Sequence, residues 1–255
     1  DSSSQVIIDM ALNDSLTSIR LSALSLLANA QSDKYRKKWT AKVLAMTTAD
    51  RDSHVRAGAY KALGEWKVST AKQNMLSVLY DSSYSVAGNA LEALNRIDKD
   101  TAYTLAKQLL KTNPKSTLES AIWTIIGKKG ADEDIALYEQ HAPFVLGGKR
   151  LTFSFSLSSY LKNVKSDTSF RRGVDIYAMF VTTENMKMYR SMLGGSLFQV
   201  ASEQKGNVKS EKQEEAEAAR NRLDIMKKCL QKIVSSESDT ETKKDFEKSM
   251  KNTFE

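Results

Sequence analysis

The sequence contains few of the residues that interrupt helices or cross-link a chain. Its 255 residues include two prolines, eleven glycines and a single cysteine, Cys229. One cysteine excludes an internal disulfide and a metal site built from several thiolates. No apolar run approaches the ~20 residues that a membrane-spanning helix needs, which favours a soluble chain. Because so little interrupts helix formation, we expect an all-α protein.

The charged residues and the start of the chain narrow the possible classes only slightly. The net charge of +7 comes from lysine and arginine side chains that are mostly scattered among acids. It is therefore a weak indication of a nucleic-acid partner. The segment DSSSQVIID at residues 1–9 lacks the basic start and apolar core of a signal peptide. We expect a processed chain or a piece excised from a longer one, and the compartment stays open.

Four segments of the chain share one helical pattern. Each begins with Asp or Asn, followed five residues later by an aliphatic residue and then by apolar residues at offsets of four, seven and eight. These offsets lie on one face of an α-helix and do not fit a strand. The four sets of apolar positions are Ile19, Ala23, Leu26 and Leu27; Val55, Ala59, Ala62 and Leu63; Val86, Ala90, Ala93 and Leu94; and Leu118, Ile122, Ile125 and Ile126.

A second helix precedes each of these segments. Apolar residues indicate it at 6–12, 35–46, 71–80 and 102–110. Together the two helices recur with a period of roughly 30 to 40 residues, which is typical of helix-pair repeats. The Asp or Asn that begins each segment lies in the short link between the helices. Its side chain can accept hydrogen bonds there from free backbone amides.

The pattern resembles HEAT repeats, most clearly in HVRAGAYKALG at residues 54–64. HEAT helix pairs cannot bury their apolar faces alone and stack into a solenoid with a continuous core. The resemblance covers residues 5–130 and implies a HEAT-like α-solenoid of stacked antiparallel helix pairs. We predict four such pairs in residues 1–130, irregular helical repeats in 131–205, and a charged loop with two helices in 206–255. All three segments are expected to form one continuous superhelical domain.

The second half of the chain keeps a helical periodicity with less regular spacing. LTFSFSLS at residues 151–158 also alternates as a strand does. We interpret it as helix, because a lone strand would have no pairing partner. Gly147 and Gly148 indicate a turn, whereas Gly194 and Gly195 predict a bend or break in a helix.

Two further features are expected near the C-terminus. The highly charged segment at residues 204–219 is predicted to include a mobile loop. Ser238 and Glu241 have the spacing of a capping box. We therefore expect the last helix to begin at Ser238.

The chain offers little catalytic chemistry. Its two histidines, His54 and His141, lie in neither an H-E-x-x-H motif nor a His-Glu pair, which disfavours a metal-ligand role. Cys229 lies beside the apolar face of its helix, which favours packing over nucleophilic chemistry. There is no G-x-S-x-G elbow and no glycine-rich phosphate loop. We therefore predict no catalytic, cofactor-binding or metal-binding residue, and no cofactor, in this chain.

Three tryptophans and two basic segments are the remaining candidates for binding. We interpret Trp39, Trp66 and Trp123 as packing residues of the repeats rather than as stacking platforms. KYRKKW at residues 34–39 and SFRRGVD at 169–175 are the densest basic patches. We interpret both as solvated helix starts, and contact with phosphate or an acidic protein is the open alternative. Their cations are Lys34, Arg36, Lys37, Lys38, Arg171 and Arg172.

Two segments also resemble a particular enzyme family. VRAGAYKALGEW at residues 55–66 and DSSYSVAGNALEALNRIDKDTAYTLAKQL at 81–109 are similar to the HEAT-repeat C-terminal region of bacterial zinc aminopeptidases of the aminopeptidase N family. The resemblance covers most of the chain. It implies a non-catalytic domain that packs beside a thermolysin-like catalytic domain and helps to enclose the peptide-binding cavity. Zinc is then expected in that catalytic domain, since this sequence lacks the family's H-E-x-x-H and G-x-M-E-N motifs.

Three functions are considered on these grounds. The first is the C-terminal domain of a zinc aminopeptidase (a gluzincin), in a bacterial cytoplasm or cell envelope. Its partners are then the catalytic domain of the same parent chain and the parent's peptide substrate. The alternative is a free-standing HEAT-repeat scaffold for protein interactions. A HEAT-like nucleic-acid binder, similar to the alkylpurine DNA glycosylases, is less favoured because only the net charge supports it.

Overall fold

The computed structural model describes residues 2–30 and 32–255. In these two ranges the chain forms fourteen α-helices and three short 3₁₀ turns, and no strand is present. The predicted all-α, HEAT-like fold class is therefore confirmed. The chain divides into two compact units, Asp1–Ile125 and Ile126–Glu255. That residues 1–130, 131–205 and 206–255 form one continuous domain is still only a prediction.

The first unit is built from consecutive helix pairs, as the repeat pattern predicts. Its helices are α1 (Ser2–Leu12), α2 (Thr17–Ala28), α3 (Asp33–Ala49), α4 (Ser53–Glu65), α5 (Lys72–Ser77), α6 (Tyr84–Ile97), α7 (Lys99–Leu110) and α8 (Ser116–Lys129), the last of which contains the division between the units. Helix α4 packs against its own partner α3 and also against α2 and α6. The second helices of successive pairs therefore stack on one another.

The first helix of the third pair is shorter than predicted. Residues 71–80 were expected to be helical, but α5 covers only Lys72–Ser77 and follows the 3₁₀ turn Ser69–Ala71. Ala71 and Met75 are nevertheless fully buried. The apolar pattern therefore identifies the packed face correctly and overestimates the length of the helix.

Small residues allow the stacked helices to approach closely. A methyl group in place of the Gly64 hydrogen would lie 2.6 Å from the Cα atom of Ala93, so α4 and α6 are in backbone contact. A methyl group on Gly58 would lie 3.3 Å from Leu21 and 3.4 Å from Leu24 of α2. Both contacts join helices of successive pairs.

The turns inside the first three pairs are closed by the predicted aspartates. The carboxylate accepts a hydrogen bond from the backbone amide two residues later: Asp14 from Leu16 at 2.8 Å, Asp50 from Asp52 at 2.9 Å, and Asp81 from Ser83 at 2.7 Å. The acceptor residue therefore lies two positions before the residue that caps the following helix. This arrangement is an Asx turn, which satisfies an amide that would otherwise be unpaired.

The first copy of the repeat departs from the predicted burial. Ala23, Leu24 and Leu27 are buried, but Ile19 is 36% exposed and Leu26 is 69% exposed. In the later copies the corresponding residues are covered by the preceding pair. Helix α2 belongs to the first pair that the structure describes, so these two side chains lack such a neighbour.

The second unit continues the arrangement of paired helices. Its helices are α9 (Ile135–His141), α10 (Lys149–Asn163), α11 (Asp167–Thr183), α12 (Lys187–Asn207), α13 (Gln213–Ser236) and α14 (Thr240–Phe254). Helices α10, α12 and α14 pack in sequence, as do α9, α11 and α13. The ambiguous segment 151–158 lies within α10, so its interpretation as helix is confirmed. The turn at Gly147 is also confirmed, since its φ of 56° suits glycine.

The structure refines two expectations for the second unit and contradicts a third. Helix α12 continues through Gly194 and Gly195 without a break. The Phe246 ring packs on Gly194, where a methyl group would lie 2.3 Å from its Cζ atom. Most of the charged segment 204–219 is helical, and only residues 208–212 connect α12 to α13. The cap of α14 is Asp239 rather than Ser238, because Asp239 accepts the Thr242 amide at 2.8 Å.

Candidate functional site

The histidines and the cysteine do not come together. His54 is exposed at the start of α4, where its amide donates to Asp52 at 2.8 Å. His141 ends α9, and its Nδ1 lies 2.8 Å from the Leu137 carbonyl oxygen. Cys229 is half-buried on α13, and burial raises the pKa of its thiol to about 11. A thiol with so high a pKa is a poor nucleophile at neutral pH.

No metal centre is apparent in the part of the chain that the structure describes. Across residues 2–30 and 32–255, no group of three or more His, Cys, Asp and Glu side chains is arranged to hold a metal ion. None of the helices described in these ranges is long and apolar enough to cross a membrane.

The three tryptophans pack inside the protein, as predicted. Trp39, Trp66 and Trp123 are 4%, 7% and 4% exposed. The Trp66 indole donates to the carbonyl oxygen of Leu27 at 2.9 Å, which ties the second pair to the first. The Trp39 indole nitrogen is buried without a hydrogen-bond partner. None of the three rings is therefore available for stacking on a base.

Two cations of the first basic patch form hydrogen bonds within the protein. Arg36 donates to the Ala30 carbonyl oxygen at 3.1 Å, and Lys38 donates to Gln5. Lys34 and Lys37 are exposed.

The second basic patch divides in the same way. Arg172 forms two hydrogen bonds with Glu139, at 2.7 and 2.5 Å, and this pair lowers the pKa of the Glu139 carboxyl. Arg171 is exposed and lines a cavity of about 590 Å³ with Lys228 and Lys232. Contact of either patch with a partner stays a prediction.

Arg20 joins the first two turns of the first unit. Its Nη1 donates to the backbone oxygens of Asp14 and Ser15 at 2.8 and 3.0 Å. Its Nε and Nη2 pair with both carboxylate oxygens of Asp50, in the next turn, at 2.8 and 3.0 Å. Arg56 repeats the local half of this arrangement and donates to the Asp50 carbonyl oxygen at 3.0 Å. One arginine therefore fixes its own turn and the turn that follows.

The same arrangement recurs in the second unit. Arg190 donates to the Glu184 carbonyl oxygen at 2.9 Å and pairs with the Glu237 carboxylate of the next turn at 2.8 Å. Arg150 donates to the Val145 carbonyl oxygen at 3.1 Å and pairs with the Glu184 carboxylate at 3.4 Å. Glu184 is 6% exposed. Its pairing is therefore largely shielded from water, which strengthens the attraction.

Six exposed apolar side chains belong to the segments 144–155 and 186–192, whose turns the Arg150–Glu184 pair joins. Phe144 is 83% exposed and Phe155 is 66% exposed. Isolated apolar residues are common on protein surfaces, but a contiguous group marks an interaction site. We refer to this group as the Met–Phe surface, and it consists of Phe144, Leu146, Phe155, Met186, Met188 and Met192.

Two contacts show how α10 and α12 lie side by side. The Tyr177 hydroxyl is within hydrogen-bonding reach of Ser158 on α10, at 3.2 Å, and of Ser196 on α12. Nearer the start of both helices, a methyl group on Gly148 would lie 3.5 Å from the Tyr189 hydroxyl. The two helices therefore run in the same direction with their first residues level.

This alignment brings Phe155 and Met192 to the same height. Phe155 lies about one turn before Ser158, and Met192 lies about one turn before Ser196. Both side chains are exposed. Exposed apolar side chains therefore lie at the same level on both helices.

Hydrogen bonds and an ion pair fix the turns that carry the remaining residues of the Met–Phe surface. Glu184 Oε1 accepts the Met186 amide at 3.0 Å, while Oε2 faces Arg150. Arg150 also holds the turn that contains Phe144 and Leu146, through Val145. Met186 has the apolar helical spacing to Leu193 and Leu197, but it lies before the helix. It is the N-cap residue of α12 and is 53% exposed.

Comparison with known proteins identifies one family. The HEAT repeats family matches residues 40–126, a range that includes α4 to α7. This match agrees with the HEAT-like stacking of helix pairs in that part of the chain. No curated protein sequence shows significant similarity to the chain.

Proposed function

We propose that this chain is a non-catalytic interaction domain and that the Met–Phe surface is where its main protein partner docks. The observation that carries the proposal is the exposure of six large apolar side chains, three on α10 and α12 and three in the turns that precede these helices. Burying apolar surface is worth about 25 cal/mol per Å². Methionine side chains are flexible and polarisable, so they can adapt to the shape of a partner.

We further propose that the partner is the catalytic domain of a zinc aminopeptidase of the aminopeptidase N family. The resemblance of residues 55–66 and 81–109 to the helical region of those enzymes supports this choice. In this proposal the zinc ion, its ligands and the general base all belong to the partner. This chain contributes a rigid wall that limits how peptides reach the active site.

A free-standing scaffold is the second candidate. The HEAT repeats in residues 40–126 favour it, because such arrays bind other proteins along their extended surfaces. The two candidates make the same use of the Met–Phe surface and differ in the partner that covers it.

Binding to a purified catalytic domain tests the proposal. The domain used is the H-E-x-x-H segment encoded in the same reading frame, and binding is followed by titration calorimetry. We expect Phe155→Glu and Met192→Glu to weaken binding at least tenfold, which corresponds to about 1.4 kcal/mol. Tyr80→Glu is the matched control, because Tyr80 is 70% exposed and lies in the first unit.

An activity measurement separates access from chemistry. We expect added chain to change the preference of the catalytic domain for peptide length. Turnover of a small aminoacyl anilide should be unaffected, because such a substrate does not need a long cavity. Absence of binding to the catalytic domain would reject the aminopeptidase partner. Binding that Phe155→Glu leaves unchanged would reject the Met–Phe surface as the docking site.

A further inference from the structure

Most of the exposed methionines of this chain lie on the Met–Phe surface. The sequence contains nine methionines, and all of them fall in the described part of the chain. Five are buried or half-buried, namely Met46, Met75, Met179, Met226 and Met250. The other four are exposed. Three of these, Met186, Met188 and Met192, belong to the Met–Phe surface, and the fourth is Met10 of α1.

Methionine has replaced the more common apolar residues on one side of this surface. Leucine is far more frequent than methionine in the sequence. Nevertheless, every exposed large apolar side chain of α12 and its N-cap is a methionine. Leucine would present a similar apolar area to a partner. What methionine adds is a thioether sulfur, which is polarisable and can be oxidised reversibly.

The fold holds these three side chains on the outer side of α12. Arg190 marks the inner side, because its Nε donates to the buried Glu237 carboxylate at 2.8 Å. Met188 and Met192 are each two residues from Arg190, which places them on the opposite side of the helix. They are four residues apart, so their side chains are neighbours there. Met186 precedes them as the N-cap residue.

The exposure of these side chains separates their chemistry from the stability of the fold. They are 53%, 58% and 47% exposed, so a change in their polarity removes little packing within the chain. Met75 and Met226 are completely buried. The same change there would place a polar group in the core, which is costly. A reagent that reaches only exposed methionines therefore alters the Met–Phe surface and leaves the core as it is.

We propose that Met186, Met188 and Met192 are oxidation sites through which a hydroperoxide releases the partner docked on the Met–Phe surface. This inference rests on the proposed function, in which a partner covers that surface. The thioether sulfur attacks one oxygen of hydrogen peroxide, so that the O–O bond breaks and a sulfur–oxygen bond forms. The second oxygen leaves as water with both hydrogens. The sulfur loses two electrons to the peroxide, and the product is methionine sulfoxide.

The sulfoxide opposes docking because it is polar. Its oxygen accepts hydrogen bonds from water on the free surface and loses them when an apolar partner covers it. Three such groups on one side of the surface add their costs. Methionine sulfoxide reductases return the side chain to the thioether, so the change is reversible. The Met–Phe surface is thereby a contact that peroxide opens and reduction restores.

Peptide mapping by mass spectrometry after treatment with hydrogen peroxide tests the selectivity of oxidation. We expect Met186, Met188 and Met192 to be oxidised at least tenfold faster than Met75 and Met226. The melting temperature of the treated chain should be unchanged, because the core methionines stay reduced. Equal rates at all five positions would overturn the proposal, and so would a fall in the melting temperature that accompanies the loss of binding.

Titration calorimetry with the purified catalytic domain tests the effect on docking. The chain is treated alone, and the peroxide is removed before the domain is added. A Cys229→Ser background excludes oxidation of the thiol. In this background, treatment should weaken binding at least tenfold. Incubation with methionine sulfoxide reductases of both stereospecificities should restore it.

Two variants assign the effect to the Met–Phe surface. When Met186→Leu, Met188→Leu and Met192→Leu are combined, the dissociation constant should be the same before and after treatment, whatever its initial value. Met10→Leu should respond to peroxide as the parent chain does, because Met10 is exposed but lies in the first unit. Binding that survives complete oxidation of the three methionines rejects this proposal alone. Failure of the untreated chain to bind rejects docking itself, and this proposal with it.

Discussion

Arg20 and Asp50 form an ion pair that is almost completely removed from solvent. The Arg20 Nε atom lies 2.8 Å from Asp50 Oδ2, and the two side chains are 7% and 9% exposed. Arg20 belongs to the first pair of helices and Asp50 to the turn of the second. The pair therefore acts between repeats, where it fixes one turn relative to the next.

We predict that Asp50→Asn destabilises the protein much more than loss of an exposed pair does. Asparagine keeps the side-chain oxygen that accepts the Asp52 amide, but it loses the charge and the oxygen that accepts the Arg20 Nε–H. The Arg20 guanidinium would then be buried without its counter-charge, which is strongly unfavourable. Urea unfolding measures the effect as a fall in the midpoint.

The control for this experiment is Glu65→Gln. Glu65 pairs with Arg96 at 2.7 Å, but these side chains are 31% and 44% exposed. An exposed pair of this kind contributes about 0 to 1 kcal/mol. If the two variants shift the urea midpoint equally, the Arg20–Asp50 pair does not link the repeats as we describe.

The repeat pattern itself predicts a large effect at Leu94. Leu94 is completely buried in α6. Leu94→Asp places an unpaired charge in the core and should cost several kcal/mol, and Leu94→Ala should cost about 2 to 5 kcal/mol. Leu146→Asp is the control, because Leu146 is 67% exposed and its change should stay within about 0.5 kcal/mol. An unchanged melting temperature in Leu94→Asp would contradict the repeat assignment.

The periodicity of apolar residues determines much of the fold but not which faces have neighbours. It locates the packed helix faces, the turn aspartates and the helical nature of residues 151–158. Leu26 and Ala93 occupy the same position in that pattern, yet one is 69% exposed and the other 1%. Within the described residues a helix pair precedes Ala93 and none precedes Leu26, and position along the array is not a property of the local sequence.

Contacts between distant residues account for the features that the sequence left open. The Arg150–Glu184 pair joins separate turns, and no spacing rule applied to one helix could reveal it. A signal does exist, since Arg20 and Arg190 each follow a turn acid by six residues, as in Asp14 to Arg20 and Glu184 to Arg190. A search for an acid six residues before an arginine finds Arg20 and Arg190. It does not find Asp50 and Glu237, the carboxylates of the next turn that pair with them. The Met–Phe surface was missed because exposed and buried apolar residues follow the same helical period.

Adjacent glycines of α12 should respond in opposite directions to a methyl group. Gly195 has no atom within 4 Å of the position that a Cβ would occupy. Gly195→Ala should therefore stabilise the protein by about 0.5 to 1 kcal/mol, since alanine favours helix. Gly194→Ala forces the methyl group against the Phe246 ring and should destabilise it by about 1 to 3 kcal/mol.

Thermal or urea unfolding of the two glycine variants decides the interpretation. If the glycines mark a flexible break in the helix, both alanine variants should behave alike. If the two variants change the stability in opposite directions, Gly194 is required because the Phe246 ring packs closely on it, and not because the backbone must be flexible there. Phe246→Leu in the Gly194→Ala background should recover part of the loss, because a smaller side chain leaves room for the methyl group.

Acid should weaken the last helix through Asp239. Its hydrogen bond from the Thr242 amide, together with the Thr242 hydroxyl and Lys187, lowers the pKa of the Asp239 carboxyl to about 2. An unfolded aspartate has a pKa of ~3.9. The stability that the charged Asp239 carboxylate contributes is thus fully present above about pH 4 and is lost as the pH falls towards about 2.

We predict that Asp239→Asn reduces the loss of stability between about pH 5 and about pH 2.5. Asparagine still accepts the Thr242 amide, and it has no charge to lose in acid. Asp98, which caps α7, should act in the same direction because its hydrogen bond from Lys72 lowers its pKa. The double variant should therefore show a still flatter pH dependence. An unchanged acid profile in both variants would contradict this account.

Cys229 should react slowly with electrophiles in the folded protein. Burial, with a smaller contribution from the Asp175 carboxylate, raises the pKa of the thiol from 9.0 to about 11, and Lys232 partly opposes this rise. The thiolate is the reacting species, and two pKa units reduce its population at neutral pH by about a hundredfold. Alkylation with iodoacetamide should accordingly be slow at pH 7 and should accelerate as the pH rises towards 11.

Unfolding in urea should restore the rate of an ordinary thiol, and Asp175→Asn should increase the rate in the folded state. Rapid labelling of the folded chain at pH 7 would mean that the thiol is ionised there, and the packing role of Cys229 would have to be abandoned.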